Sequence, residues 1–491
     1  MKGAVIVKTR RDAGKNTMEL HTNKVFTTLG YLTPAEARRL MRYLESPYFN
    51  QSKTIALLCE RFLHLHEQGA KGFIREEVWA ALFPGEAYED VNFRKYCSDL
   101  LKLVEDFFLQ EKISQEPVRP TLDLLEFVAR RKIEPLYNST LRQSRNTLNR
   151  QPYRSSAYFY EAYLLEKHYY AMMDFDVKLD IRANIEEISH NLDLFYWIEK
   201  LKLYTAVISH RKTGNFQYEL RFIDEILAYL RQFPIEEVPE LAVYYYSFLT
   251  IYEEDKVEHY RNLRRMLDQY ADSMPRKDVV ELFDSALHYC VGRINRGDRD
   301  FLQEYFDLFG EGLRRAVFVV GGELAPWRFN NAVAAALGLG KIDWAESFVK
   351  EYKGALPAAT RENTFAFNLA RVYRFQGKYK EVLELLRNLE YEDIGYNLLA
   401  KSMVMMTYYD LDEYDALEPF IESFRVFLNR HKNIAALRRR SYLNWIRYVR
   451  RLTRLLPNDK ASVQALYEEV ERNKSTIANH AWVLEKLNEL R

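Results

Sequence analysis

Apolar residues recur every three to four positions along most of the chain, with short polar breaks between the runs, and this spacing predicts α-helices. Thr33-Pro34-Ala35-Glu36 sets the first clear start: Thr as N-cap, Pro at the first helical position, and Glu closing a capping box. This helix is expected to end near Ser46-Pro47. Further runs cover residues 54–67, closed by Gly69 and Gly72; residues 76–82, stopped by Phe83-Pro84-Gly85; and residues 92–112. Together they make a small helical module over residues 23–115, with Glu116-Pro117-Val118-Arg119-Pro120 as its boundary. Residues 1–22 read as a disordered lead, in which Met18 is a second candidate start.

Beyond the boundary the pattern becomes long helical run, short turn, second run. The turns fall at Asp174, Gly214, Asp255, Gly297, Gly340, Gly377 and Asp412, spaced by 40, 41, 42, 43, 37 and 35 residues. A helix-turn-helix unit of that period cannot bury its apolar face alone, so neighbouring units must stack. The expected fold is all-α: a right-handed α-solenoid of helix-turn-helix repeats over residues 120–475, with residues 476–491 as a C-terminal capping helix. Trp482, Leu484, Leu487 and Leu490 give that last segment its apolar face.

One unit is specific enough to carry a resemblance. Asn368-Leu369-Ala370-Arg371-Val372-Tyr373-Arg374-Phe375-Gln376-Gly377-Lys378-Tyr379 places a small residue, a Tyr three positions later, and Gly-x-Tyr at the turn. It resembles the tetratricopeptide repeat. Ala336, Gly340, Ile342 and Ala345 match the same pattern upstream; Tyr408, Asp412, Tyr414 and Leu417 match it downstream, with Asp where Gly is usual. The match covers roughly residues 328–430, and over residues 120–327 only the period is shared. The resemblance implies a scaffold that holds a partner on a concave face.

Composition adds few constraints. Gly and Pro are scarce, at 18 and 14 in 491 residues, which favours helix over loop. The net charge of +1 predicts no nucleic-acid partner for the chain as a whole. Cys59, Cys97 and Cys290 are far apart and lie in apolar helical contexts, so buried structural thiols and a cytoplasmic location are expected. No run of 18 apolar residues is present, so no membrane span is expected.

Catalytic and metal chemistry find no support. His64 and His66 point about 200° apart on a helix. Glu187/His190 and Asp255/His259 have one-face spacings but no companion ligands, and Gly321-Gly322-Glu323 lacks the Lys-Ser/Thr of a phosphate loop. The expectation is therefore a non-catalytic protein-binding scaffold or adaptor, with no cofactor and no metal. The alternative is a transcriptional regulator. It rests on a second resemblance: residues 74–85 and 93–103 are similar to the two helices of winged-helix domains joined to helical repeats in some bacterial activators. Against it, residues 75–112 carry five Lys/Arg and nine Asp/Glu, a charge of −4 that repels phosphate.

The densest charge feature lies near the C-terminus. Residues 431–458 contain no acid, but they hold Lys432 and seven arginines: Arg438, Arg439, Arg440, Arg447, Arg450, Arg451 and Arg454. On a helix, Arg440, Arg447, Arg451 and Arg454 fall within about 60° of one another, opposite Tyr442, Trp445, Ile446, Val449, Leu452 and Leu456. These four arginines are the candidate partner-binding residues, suited to an acidic protein or peptide. The competing expectation pairs them with Glu468, Glu469 or Glu471.

Overall fold

The computed structural model describes residues 20–173, 182–213, 218–387, 394–455 and 459–491. Most of the expected lead and the turns expected at Asp174 and Gly214 lie outside the described residues. Among the described residues the secondary structure is helical apart from one hairpin of two-residue strands and one isolated bridge. It divides into two compact units, at Phe195 and Tyr196.

The first unit opens with five helices: α1 (Lys24–Leu29), α2 (Pro34–Glu45), α3 (Lys53–Glu67), α4 (Arg75–Leu82) and α5 (Asp90–Gln115). The capping box forms as expected: Thr33 N–H donates to Glu36 Oε2 at 2.8 Å, and Glu36 N–H donates to Thr33 Oγ1 at 3.3 Å. Val25, Phe26, Leu58, Phe62, Phe73, Phe93, Leu100 and Val104 share one core. His21, inside the expected lead, exchanges both backbone hydrogen bonds with Phe73. Three more helices follow, α6 (Arg119–Arg130), α7 (Glu134–Asn149) and α8 (Ser156–Met172), and then the start of α9 (Ile185–Thr213).

The second unit continues through α10 (Ile223–Leu230), α11 (Pro239–Tyr252), α12 (Val257–Tyr270), α13 (Arg276–Asn295), α14 (Asp300–Arg314), α15 (Pro326–Gly338), α16 (Ile342–Glu351), α17 (Arg361–Phe375), α18 (Tyr379–Leu386), α19 (Ile394–Asp410), α20 (Tyr414–Arg430), α21 (Ala436–Leu452), α22 (Lys460–Arg472) and α23 (His480–Glu489). From α11 to α21 each helix packs on the next. Helix α11 also packs on α13, α15 on α17, and α17 on α19. Amphipathic spacing explains the second helix of each pair: α12 buries Tyr260, Leu263, Met266 and Leu267, while α14 buries Phe301, Tyr305, Leu308 and Phe309. The first helices are more deeply enclosed; α11 buries ten of its fourteen residues.

Four expected turns are set by left-handed residues. Gly297, Gly340 and Gly377 have φ of 94°, 71° and 73°, and Asp412 takes the same role at φ 60°. Asp tolerates this region better than most side-chain-bearing residues, and Tyr414 hydroxyl donates to its carboxylate at 2.9 Å. Gly321-Gly322 closes a hairpin, Val319–Val320 against Glu323–Leu324, rather than a plain interhelical loop. The last helices bury Trp482, Val483 and Leu487 against Trp445, Val449, Val463 and Val470.

Candidate functional site

Helices α15, α17 and α19 lie side by side and open a cleft of about 580 Å³ on the second unit. Small residues at Ala332, Ala335 and Ala336 let α15 approach its neighbours closely, since they add little beyond Cβ. The floor is a chain of buried amides. Asn330 Nδ2 donates to Tyr396 Oη at 2.5 Å, and Asn368 Nδ2 donates to Asn330 Oδ1 and, at 2.8 Å, to Thr364 O. Asn368 is completely buried, so each of these bonds replaces one lost to water.

Arg371 stands above this floor. Its Nη1 donates to Asn330 O at 3.0 Å and to Asn368 Oδ1 at 3.3 Å, and the guanidinium lies 5.7 Å from the Phe367 ring centroid. All three partners are uncharged. Arg371 has no ion pair among the described residues, and its Nε and Nη2 donors have no partner there. Burial pulls its pKa down to about 10, with only the nearby Tyr396 acting the other way. Arginine otherwise keeps its charge at any pH a protein meets; here burial, with no acid beside it among the described residues, is what disfavours the cation.

Arg374 and Arg438 complete a lining that, among the described residues, includes no carboxylate. Arg374 is already neutralised by Asp410 at 2.7 Å, which Lys486 of α23 also approaches at 3.1 Å. Apolar walls come from Phe367, Phe375, Leu399, Met403 and Met406. At the rim Asn479 holds a left-handed backbone, φ 50°, and its buried Nδ2 has no acceptor. Chemically the cleft offers an open guanidinium edge, one spare amide donor and an apolar wall, with no His, Cys, Asp or Glu among the described residues of its lining.

The arginines singled out by local density are placed differently. Arg440, Arg447 and Arg451 are exposed on α21, as the helical spacing implies, while Arg454, also exposed, lies in the turn beyond the end of the helix. Arg451 Nη1 grips Glu469 at 2.9 and 2.8 Å, and Tyr448 hydroxyl donates to the same carboxylate at 2.9 Å. Burial raises the Glu469 pKa, but its bonds to Arg451 and Tyr448 outweigh that and leave it lowered. Arg447 lies over the Tyr448 ring at 5.0 Å. Arg440 and Arg454 have no acid partner among the described residues. Elsewhere in the run, Arg450 pairs with Glu418 and Glu422, and Arg439 donates to the carbonyls of Leu428, His431 and Ile434 that end α20. Leu456 lies outside the described residues.

The remaining candidates are structural. His66 Nε2 lies 2.7 Å from Phe26 O, with its ring stacked on Phe26, and His64 meets Gln68. Glu187 and His190 are exposed. His259 pairs with Glu253 at 2.8 Å, while Asp255 pairs with Arg296. Among the described residues no three His, Cys, Asp or Glu side chains are grouped to hold a metal ion. Burial pushes the thiols of Cys59, Cys97 and Cys290 up to about 12, 11 and 12, which suppresses the reactive thiolate. In the N-terminal module, α5 runs unbroken past residue 103 where a winged-helix domain has its hairpin, and it buries Phe93, Cys97 and Leu100. No helix among the described residues is long and apolar enough to cross a membrane.

No family model matches the chain, and a search of curated proteins finds no match.

Proposed function

We propose that the protein is a non-catalytic binding scaffold or adaptor, built as a right-handed, tetratricopeptide-like α-solenoid, that takes a partner's anionic group in the cleft on α15, α17 and α19. The observation that carries this reading is Arg371: a half-buried guanidinium with one edge open and no acid beside it among the described residues. Holding an uncompensated charge out of water is costly, and a bound anion relieves that cost. The lack of an acid on the lining among the described residues favours binding over proton-transfer catalysis.

The repeat architecture is supported by polar contacts that recur at, or a few residues beyond, the period of the sequence. Lys202 meets Glu240 and Ser247 meets Ser285, both 38 residues apart; Arg328 meets Asp284 across 44, and Asn368 meets Asn330 across 38. The second helices do the same, with Tyr260 on Glu304 across 44 residues and Arg264 on Glu311 across 47. Contacts between corresponding positions of successive units are what stacked repeats produce. The buried, unpaired thiols fit a reducing cytoplasm.

The test is capture from native lysate by the wild-type chain, by Arg371→Met and by Arg440→Ala, with bound protein quantified by mass spectrometry. A set of partners held by wild type and Arg440→Ala but lost by Arg371→Met is expected. A bound set indifferent to Arg371→Met overturns the cleft as the binding site.

A further inference from the structure

We infer that the cleft is a binding site for a carboxylate carried on an apolar body. This rests on the reading of the cleft as the binding site and names what is bound there.

The head group follows from which edge of Arg371 is open. Nη1 is taken by Asn330 O and Asn368 Oδ1, which leaves the Nε–Nη2 edge. Its two N–H bonds are coplanar and parallel, and a carboxylate presents two coplanar oxygens at matching separation. A phosphoryl group, tetrahedral and carrying up to two charges, calls for donors on more than one side and for more positive charge. The cleft does not supply that charge: Arg374 is already matched by Asp410, and Arg438 is exposed at the margin.

The body follows from the walls. Phe375, Leu399, Met403 and Met406 give an apolar surface beside the guanidinium, and the two methionines can repack around different shapes. A volume of about 580 Å³ falls within the range of small-ligand pockets, which are mainly apolar with a few placed polar groups. Asn479 Nδ2, buried and without an acceptor, supplies one more donor, suited to a carbonyl oxygen. Two sources offer this chemistry: a free aromatic or aliphatic acid, and the C-terminal end of a peptide with apolar last residues.

The experiment is calorimetric titration of the full chain with 3-phenylpropanoate, its amide, phenyl phosphate and acetyl-Leu-Phe as the free acid. One or both acids are expected to bind, and the amide to bind at least about tenfold more weakly, as loss of a charge-assisted pair of hydrogen bonds requires. Tighter binding of acetyl-Leu-Phe identifies a peptide end, and tighter binding of 3-phenylpropanoate a free acid. Arg371→Met should abolish binding, and Arg371→Lys should restore only part of it, because an ammonium lacks the planar edge. Arg371 also holds Asn330 and Asn368, so a fold-neutral variant is needed beside it. Leu399→Asp, at a side chain 42% exposed, sets a competing acid in the cleft and should also abolish binding. Equal binding of acid and amide, tighter binding of phenyl phosphate, no binding of either acid, or wild-type binding by Leu399→Asp each overturns the carboxylate assignment. If that assignment fails while lysate capture still depends on Arg371, the cleft remains the binding site for another ligand; if capture is also indifferent, both readings fall.

Discussion

Replacing Asp410 by Asn tests whether the ion triad beside the cleft holds the unit together. Asp410 is the last residue of α19, where the negative end of the helix dipole disfavours a carboxylate. Its side chain is only 3% exposed, yet it faces Arg374 at 2.7 Å and Lys486 at 3.1 Å, so it joins α17 and α23 to the end of α19. The carboxylate oxygens make no aligned hydrogen bond, and the attraction is therefore mainly Coulombic. Asn keeps the shape and removes the charge, leaving Arg374 without its acid while Lys486 retains Glu489 at 2.9 Å. Removing one partner of a buried pair costs about 3–5 kcal/mol. Because Lys486 keeps a second acid, the low end, about 3 kcal/mol, is expected. Urea unfolding followed by circular dichroism should show a lower midpoint with an unchanged slope. Adding Arg374→Met should recover part of the loss, since the stranded cation is removed. A change within about 0.5 kcal/mol, the level of ordinary surface substitutions, refutes the reasoning.

Three other outcomes are expected. Glu253 is held down to about 2, first by Lys256 and then by His259. A carboxylate whose pKa is lowered by folding stabilises above its unfolded value, near 4.5, and that contribution fades as pH falls toward 2. Glu253→Gln should thus lower stability at pH 7 and flatten the acid limb between about pH 5 and pH 2, as read from melting temperatures across that range. Gly312→Ala drives a Cβ into the Phe318 ring, and forcing that ring aside should cost about 1–3 kcal/mol in urea unfolding; a neutral result means the ring relocates freely. Arg451→Glu sets two carboxylates together at Glu469, but the pair is largely exposed, so a loss near or below about 1 kcal/mol is expected, reduced by salt. A loss that does not shrink in high salt contradicts the electrostatic account.

Features decided within one helix or turn were legible beforehand. The capping box at Thr33 needs only Thr33, Pro34 and Glu36, and it forms. Gly297, Gly340, Gly377 and Asp412 each set a local backbone angle, and all four are left-handed. Helix α1 was missed because six residues hold too little periodicity to register. Residues 319–324 form a hairpin where the missing phosphate-loop pattern suggests only a loop, although two adjacent glycines between apolar residues are a recognised hairpin signal. The site is the instructive case. Arginine density drew attention to α21, where Arg451 and Arg450 find acids 18 and 28 residues away. Arg371 looked ordinary because one acidic residue more or less nearby in sequence says little. Its distinction is what three helices fail to place beside it. The available hint was its spacing, three residues from Arg374 on one helix face and three from Asn368.

The recurring polar rungs also bear on how the chain acquires its structure during synthesis. Lys202–Glu240, Ser247–Ser285 and Asn330–Asn368 each join residues 38 apart, and Asp284–Arg328 residues 44 apart. A ribosome adding about 5–20 residues per second delivers such a partner within about ten seconds of the first residue. Helix formation and closure of a short loop take microseconds or less. Each rung can therefore close as soon as its second helix clears the exit tunnel, with no need for residues still unmade. The exception lies at the end. Asp410 meets Lys486 across 76 positions (486 − 410), so the triad beside the cleft closes only after α23 has been made. The cleft is thus finished in two stages: its Asn330–Asn368 floor can close long before Lys486 and the rim residue Asn479 have been made.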